Sequence, residues 1–270
     1  MTTLKGRRIF ITGGSRGIGL AIALRAARDG ARIAIAAKTV EAHPKLPGTI
    51  HTAAADIRKA GGEALPIQCD IRSADEVEAA VQQAAQAFGG IDACVLNASA
   101  ISLTGTLETP LKLFDLMNQI NYRGNWLAAR ACLPWLLKST APHILSLSPP
   151  LSLDAKWFAP HTAYTIAKYN MSLVVLGLAA ELRGRVAVNA LWPQTWIATA
   201  AIWNRAGGEM VKYCRKPDIM ADAAHAILLK DAAYGGNFLI DEQVLRASGV
   251  TDFAQYACVP GAEPRKDLFL

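Results

Sequence analysis

The chain has 270 residues, 52% hydrophobic and 19% charged: enough apolar material for a large core, and too little charge for a disordered chain. Its net charge of +6 comes from scattered Lys and Arg, with no basic run and no aromatic interleaving, so nucleic acid is not an expected partner. No apolar run reaches the roughly 18 residues of a membrane span, and no membrane association is expected. Cys69, Cys94, Cys132, Cys214 and Cys258 are far apart, without a C-x-x-C pair or a histidine cluster. That spacing speaks against zinc and against a disulfide framework, so no metal is expected. Met1 to Arg8 runs straight into Ile9-Phe10-Ile11 without the apolar region of a signal peptide, and a cytoplasmic location is expected.

The predicted elements alternate along the chain. Arg8 to Ile11 reads as a strand, Leu20 to Ala27 as a helix closed by Asp29-Gly30, and Arg32 to Ala36 as a second strand. This βαβ unit implies a parallel sheet with a right-handed crossover. A stretch with Pro44, Pro47 and Gly48 leads into a helix that ends at Gly61-Gly62. Ala64 to Cys69 is a third strand, Ala74 to Phe88 a helix ended by Gly89-Gly90, and Ile91 to Leu96 a fourth strand. Leu111 to Leu137 is a long helical stretch, interrupted at Gly124 and with Pro134 near its end. His143 to Leu147 is a fifth strand, a helix follows around Tyr164, and Val186 to Leu191 is a sixth strand. Pro217 to Leu229 reads as a helix and Asn237 to Ile240 as a last strand. The alternation contains no linker and no repeat, so one doubly wound α/β domain over residues 1–270 is the economical reading. Residues 193–216 show no period and are expected to cover a substrate.

Between the first strand and the first helix lies Thr12-Gly13-Gly14-Ser15-Arg16-Gly17-Ile18-Gly19. Glycines there allow a tight turn and the close approach of a pyrophosphate to the helix N-terminus. The second strand ends Ala36-Ala37-Lys38-Thr39, where an acid would read the ribose hydroxyls of NAD. Lys38 and Arg16 are cations at that point, which suits a 2′-phosphate; the predicted cofactor is NADP(H) rather than NAD(H), although an ordinary surface lysine also accounts for Lys38. Asp70 follows the third strand, where it either meets an adenine edge or caps the next helix. Tyr164 and Lys168 are four apart on a predicted helix and share a face. An ammonium beside a phenol lowers its pKa, so that it can exchange a proton with an alcohol. Taken alone, the pair is a weak signal and more often describes a core tyrosine beside a snorkelling lysine.

In order and spacing, Thr12-Gly13-x-x-x-Gly17-x-Gly19, Asn97-Ala98, Asn121 and Tyr164-x-x-x-Lys168 resemble the short-chain dehydrogenase/reductase superfamily, to about residue 240. Ile35 to Thr39, His43-Pro44-Lys45-Leu46, Asn97 to Ser102, Ser148-Pro149-Pro150 and Ala190 to Pro193 are similar to its hydroxysteroid-dehydrogenase-like branch. Animal members of that branch add a sterol-carrier domain, before which this chain is expected to stop. The resemblance implies a Rossmann-type fold with a central parallel sheet of about seven strands, an oxidoreductase acting on a small-molecule carbonyl or alcohol, and a homo-oligomer (dimer or tetramer) joined through helices 111–137 and 161–182. It implies that Tyr164 is the acid in reduction and the base in oxidation. Lys168 would hold the nicotinamide ribose, and Asn121 a water that relays protons from Lys168. Asn97, Ala98 and Ser99 would line the cofactor, and Ile197 and Thr199 would meet the carboxamide. Trp157, Phe158, Trp192, Trp196 and Trp203 point to an apolar substrate, although a plain core role accounts equally for each one singly.

Three positions depart from the family. Its N-N-A-G is Leu96-Asn97-Ala98-Ser99 here, and its Pro-Gly after the sixth strand is Pro193-Gln194. Its substrate-polarising serine falls on Pro149, which has no hydroxyl. Ser148, one residue early, is the candidate replacement, with Ser152 as the other. A chain that binds the cofactor with weak or no catalysis, a sensor or scaffold, is the alternative that Pro149 raises.

Overall fold

The computed structural model describes residues 3–43, 46–200, 202 and 208–270; Pro44, Lys45 and Trp203 lie outside them, as does part of the 193–216 segment. Among the described residues, seven strands form one parallel sheet: β1 (Arg8–Thr12), β2 (Arg32–Ala37), β3 (Glu63–Gln68), β4 (Ala93–Leu96), β5 (His143–Ser146), β6 (Ala187–Trp192) and β7 (Phe238–Ile240). Their order is β3-β2-β1-β4-β5-β6-β7. The strands are short and mostly apolar because helices cover both faces of the sheet. Pro66, which cannot donate to a ladder, sits on the edge strand β3.

The sheet separates two apolar layers. Helices α1 (Gly17–Arg28), α2 (Ile50–Lys59), α7 (Asp218–Leu228) and α8 (Asp241–Ala247) bury Ile22, Ile57, Ile219 and Leu245 on one face. Helices α3 (Ala74–Phe88), α5 (Asn125–Leu136) and α6 (Thr162–Glu181) bury Val77, Leu127 and Val175 on the other. A smaller third cluster joins Tyr164, Tyr169, Trp192, Ile240 and Phe269. From β1 the chain winds to β2 and β3 on one side, then returns to start β4 on the other. At that reversal the connections at the strand ends diverge and leave a crevice, the usual ligand position in such sheets.

Local details differ from the sequence expectation. Helix α1 begins at Gly17 rather than Leu20, so the glycine loop itself makes the first turn. Gly124 does not break the long helix: α4 (Leu111–Asn118) passes through a π-helical turn, Gln119–Gly124, into α5. A Cβ on Gly124 would lie 2.8 Å from both the Ile71 side chain and the Ile71 carbonyl, so this glycine permits close packing instead of ending a helix. The capping role considered for Asp70 is filled by Ser73, whose hydroxyl accepts from the Glu76 amide at the start of α3.

Polar contacts fix α1 against α7. Asp29 accepts from the Leu4 amide at 2.7 Å, from Arg25 at 3.1 Å and pairs with His225 Nε2 at 2.8 Å. Arg25 also reaches Asp222, which accepts from the Tyr256 hydroxyl. Burial acts to raise the Asp29 pKa, but the Leu4, His225 and Arg25 bonds outweigh it and hold the carboxyl well below the usual range. A depressed carboxylate stabilises the fold above its unfolded pKa and loses that effect as pH falls through the folded value. We expect Asp29→Ala to lose about 2 kcal/mol of stability at neutral pH in urea unfolding, with the deficit shrinking in strong acid. An unchanged unfolding midpoint at neutral pH would show that α1 and α7 are held by apolar packing alone.

Candidate active site

The crevice is built from the end of β1. Thr12 Oγ1 accepts from the amides of Asn97 at 2.9 Å and Ala98 at 3.0 Å, which ties the turn after β4 to the turn after β1. Asn97 Nδ2 donates back to the carbonyls of Thr12 at 2.9 Å and Gly13 at 3.0 Å. Gly13 and Gly17 have φ of +67° and +58°, backbone that disfavours any side chain. A Cβ on Gly13 would lie 3.0 Å from Ala98 Cα, and one on Gly19 would lie 2.5 Å from Asn97 Nδ2. The two turns therefore approach as closely as glycine permits. Arg16 precedes α1 without a side-chain cap bond, so the first amides of the helix keep their capacity for an anion.

These residues line a cleft of about 530 Å³: Gly13, Ser15, Arg16, Gly17 and Ile18 on one wall, Lys38 and Asp70 on the other. Lys38 is exposed at the end of β2. Arg16 donates to the carbonyls of Pro47 and Gly48, both at 2.9 Å, and so holds the loop that follows β2 beside the cleft. Asp70 forms a forked ion pair with Arg72, which holds its carboxyl below the usual range, and Lys38 acts in the same direction. A cradle this close to the helix N-terminus, with room at the β1–β4 reversal, fits a dinucleotide.

A second cavity of about 310 Å³ adjoins the first and shares Ile18, Asn97, Ser99, Ile101 and Thr199 with it. Tyr164, Lys168, Leu147, Trp192, Trp196 and Ile197 line it, so the structure brings the predicted tyrosine and lysine together with Ile197 and Thr199. Tyr164 is buried on α6, edge-on to His161 with ring centroids 6.0 Å apart. Lys168 is buried; its Nζ donates to the Leu147 carbonyl at 2.7 Å and lies 4.9 Å from the centre of the Trp192 ring. Burial pushes the Lys168 pKa down to about 7, with Asp267 acting in the opposite direction. Trp192 and Trp196 face the cavity, whereas Trp157 and Phe158 pack behind it, Trp157 against Phe269 and Phe158 against Tyr169.

Asn121 lies in the π-helical turn and is fully buried. Its side-chain amide is engaged with the main chain of Ala100, accepting at 2.7 Å and donating at 3.0 Å. Its carbonyl accepts from Asn125 Nδ2 at 2.5 Å, and the same Nδ2 reaches the Ala98 carbonyl at 2.9 Å. Asn125 thus braces the Asn97–Ala100 turn, a task for which its place in an apolar helix gave no local signal. Ser148 is not brought to the cavity. It is buried, and among the described residues its Oγ has no hydrogen-bond partner. Successive residues of an extended chain face opposite ways, so Leu147 reaches the cavity and Ser148 turns from it. The Pro149 carbonyl is held by Ser172 Oγ at 2.6 Å. Ser152 accepts from the Asp154 amide within its own loop, at 3.2 Å, and also lies off the cavity.

A glycine-rich cradle at one end of a cleft, with a phenol and an ammonium at the other, is the arrangement that nicotinamide-dependent oxidoreductases use. The family model for short chain dehydrogenases matches residues 7–206. The chain belongs to that family, in its hydroxysteroid-dehydrogenase-like branch. It is 58% identical over 267 residues to hydroxysteroid dehydrogenase-like protein 2 of Danio rerio, and 55% identical to that of Homo sapiens. Each alignment takes in 99% of this chain and 64% of the relative, so the chain spans just under two thirds of the length of these relatives. Among solved structures, a protein from Xanthomonas campestris superposes with a TM-score of 0.97 at 59% identity, covering 99% of both chains. A short chain dehydrogenase from Mycobacterium thermoresistibile gives 0.95 at 54% identity, covering 99% of this chain and 96% of that one. The family uses a nicotinamide cofactor and acts on small molecules. No helix among the described residues is long and apolar enough to cross a membrane.

Proposed function

We propose that the chain is an NADP(H)-dependent oxidoreductase that interconverts a carbonyl and an alcohol on an apolar, lipid-like substrate. The observation that carries this reading is the continuity of the two cavities, which meet at Asn97, Ser99 and Thr199. When bound, the cofactor supplies or accepts the hydride. Gly13, Ser15, Gly17, Ile18 and Gly19 hold its phosphates, Asp70 and Ala98 flank the adenine side, and Ile197 and Thr199 meet the carboxamide. Tyr164 gives the proton to the developing alkoxide in reduction and takes it back in oxidation. Lys168 holds the ribose, favours the ionised form of Tyr164 and passes protons on through a water at Asn121. Trp192, Trp196 and Ile101 exclude water from the reacting carbon, and the described residues of the 193–216 segment, Pro193 and Ile202 among them, cover the substrate within one domain.

For the cofactor, the support is the absence of an acid at the end of β2 and the presence of Lys38 beside the cleft. We expect the parent to bind NADPH more tightly than NADH in a fluorescence titration at physiological salt. Lys38→Glu supplies a ribose-reading carboxylate in place of the cation, and should lower the NADPH/NADH affinity ratio by at least about tenfold. Equal or tighter NADH binding by the parent would overturn the NADP(H) assignment.

Two further parts belong to this reading. Trp126, Leu173 and Leu176 are exposed beside a groove between α5 and α6, which supports a homo-oligomer through those helices. The five cysteines are free thiols, which supports a reducing, cytoplasmic setting. A second reading, a cofactor-binding sensor with weak catalysis, is favoured by one observation: neither Ser148 nor Ser152 reaches the cavity.

A further inference from the structure

The wall of the cavity opposite the cofactor cleft is formed by the last residues of the chain, which no strand or helix pattern announces. Trp196 donates its amide to the Arg265 carbonyl at 2.8 Å, Asp267 its amide to the Gln194 carbonyl at 3.1 Å, and Trp192 Nε1 to the Leu268 carbonyl at 2.8 Å. Phe269 is buried against Tyr164, Trp157, Tyr169 and Trp192, with ring centroids 5.2 to 6.3 Å away. It has φ of +71°, which for a bulky residue is strained and persists only where its surroundings over-determine it. The tail is therefore locked in place, and it carries a carboxyl into the cavity that holds Tyr164 and Lys168: Asp267.

A carbonyl oxygen in that cavity needs two donors, because negative charge develops on it as hydride arrives. Tyr164 is one. The residue in the family's second position, Pro149, has no hydroxyl, and Ser148 and Ser152 lie elsewhere. Ser99 lines the cavity, but its hydroxyl is directed to Asn121 Oδ1 at 3.3 Å and the Ala100 carbonyl at 3.4 Å. We propose that Asp267, in its protonated form, is the second donor to the substrate carbonyl oxygen. The inference rests on the carbonyl–alcohol reading above. Asp267 keeps its proton throughout; hydride forms the C–H bond, Tyr164 supplies the O–H proton, and the balance of the reaction is unchanged.

The surroundings favour the protonated acid. Burial raises the Asp267 pKa to about 7; the Leu268 amide lowers it, Asp241 raises it further, and Lys168 lowers it. Asp241 is itself raised to about 6 by burial, against the amides of Gln194 and Glu242 and the charge of Arg215. Cys214, raised by burial and by Cys258, also feels Asp267. Asp267 Oδ1 accepts from the Leu268 amide at 2.6 Å. A carboxyl raised in this way donates below about 7 and loses that capacity as pH rises through it.

The test compares the parent, Asp267→Asn and Asp267→Ala in NADPH-dependent reduction of cyclohexanone from about pH 5 to 9. Parental kcat/KM is expected to fall as pH rises through about 7. Asn keeps an N–H donor and does not titrate, so its profile should fall less steeply than the parent's, keeping only the contribution of Lys168, itself at about 7, with most activity retained. Ala should lose about 10²- to 10³-fold with NADPH binding unchanged. A second arm needs no turnover: the Asp267 carboxyl is titrated by ¹³C NMR in the NADP⁺ complex, with and without cyclohexanone. Its pKa is expected to rise when the ketone binds. Parental kcat/KM and pH profile in the Ala variant, or a titration unmoved by ketone binding, would overturn the assignment. If the parent reduces no carbonyl, the reductase reading fails by itself, and the titration in the unreactive NADP⁺ complex still decides Asp267.

Discussion

Tyr164→Phe is expected to lower kcat/KM for carbonyl reduction by about 10³-fold, within the range that a positioned general acid contributes. The substitution removes one hydroxyl and leaves the ring, which packs edge-on to His161 and is stacked at 29° on Phe269. The fold and the cofactor cleft should therefore be unaffected, and the melting temperature and NADPH affinity should match the parent. The loss should fall on kcat more than on KM, because the proton is delivered in the transition state and not in the substrate complex. Steady-state kinetics beside an NADPH fluorescence titration separates these effects. Turnover that survives the substitution would remove Tyr164 from the chemistry. Absence of turnover in both proteins, with NADPH still bound, would favour the sensor reading.

The second large effect is predicted far from the reacting carbon. Gly19→Val places a branched side chain where a single Cβ would already lie 2.5 Å from Asn97 Nδ2, 2.9 Å from Asn97 Cγ and 3.1 Å from the Gly13 carbonyl. Asn97 cannot move aside without giving up its bonds to the Thr12 and Gly13 carbonyls. Those bonds hold the turn in which Gly13 adopts φ of +67°. NADPH affinity should fall by at least about 100-fold, since a displaced turn loses several charge-assisted hydrogen bonds at once. The effect should greatly exceed that of Lys38→Glu, which alters one contact at the cleft wall. Calorimetric binding close to parental would show that the turn does not grip the phosphates.

The fold was legible because most strands are short apolar runs bounded by turn residues and most helices have a closing glycine or a polar start. Gly89 shows this well, ending α3 with φ of +76°. Tyr164, Lys168 and the glycine turn were legible because their spacing along the chain carries the chemistry. Several of the exceptions come from contacts distant in sequence. Gly124 reads as a break, but it is small because Ile71 passes 2.8 Å from where its Cβ would be. Asn121 is a relay residue by resemblance alone, and its second task, bonding the main chain of Ala100 twenty-one residues back, had no local signal. Asp70 reads as an adenine contact or a cap; the helix begins later, at Ala74, and Ser73 caps it. Ser148 is a candidate donor by proximity to Pro149, and the alternation of an extended chain, a rule legible in the sequence, turns it away. Asp267 and Phe269 carry no local motif; their place at the cavity is set by hydrogen bonds to Gln194 and from Trp192, about seventy residues earlier.

The most direct test of the account is a crystal structure of the chain with NADP⁺ and cyclohexanone. The account predicts the adenosine phosphate beside Lys38 and the pyrophosphate on the Gly13–Gly19 turn. It also predicts the ketone carbon about 3 to 3.5 Å from the reactive carbon of the nicotinamide, with its oxygen in hydrogen-bond reach of Tyr164. A dinucleotide bound elsewhere, or a nicotinamide ring turned away from Tyr164, would contradict it.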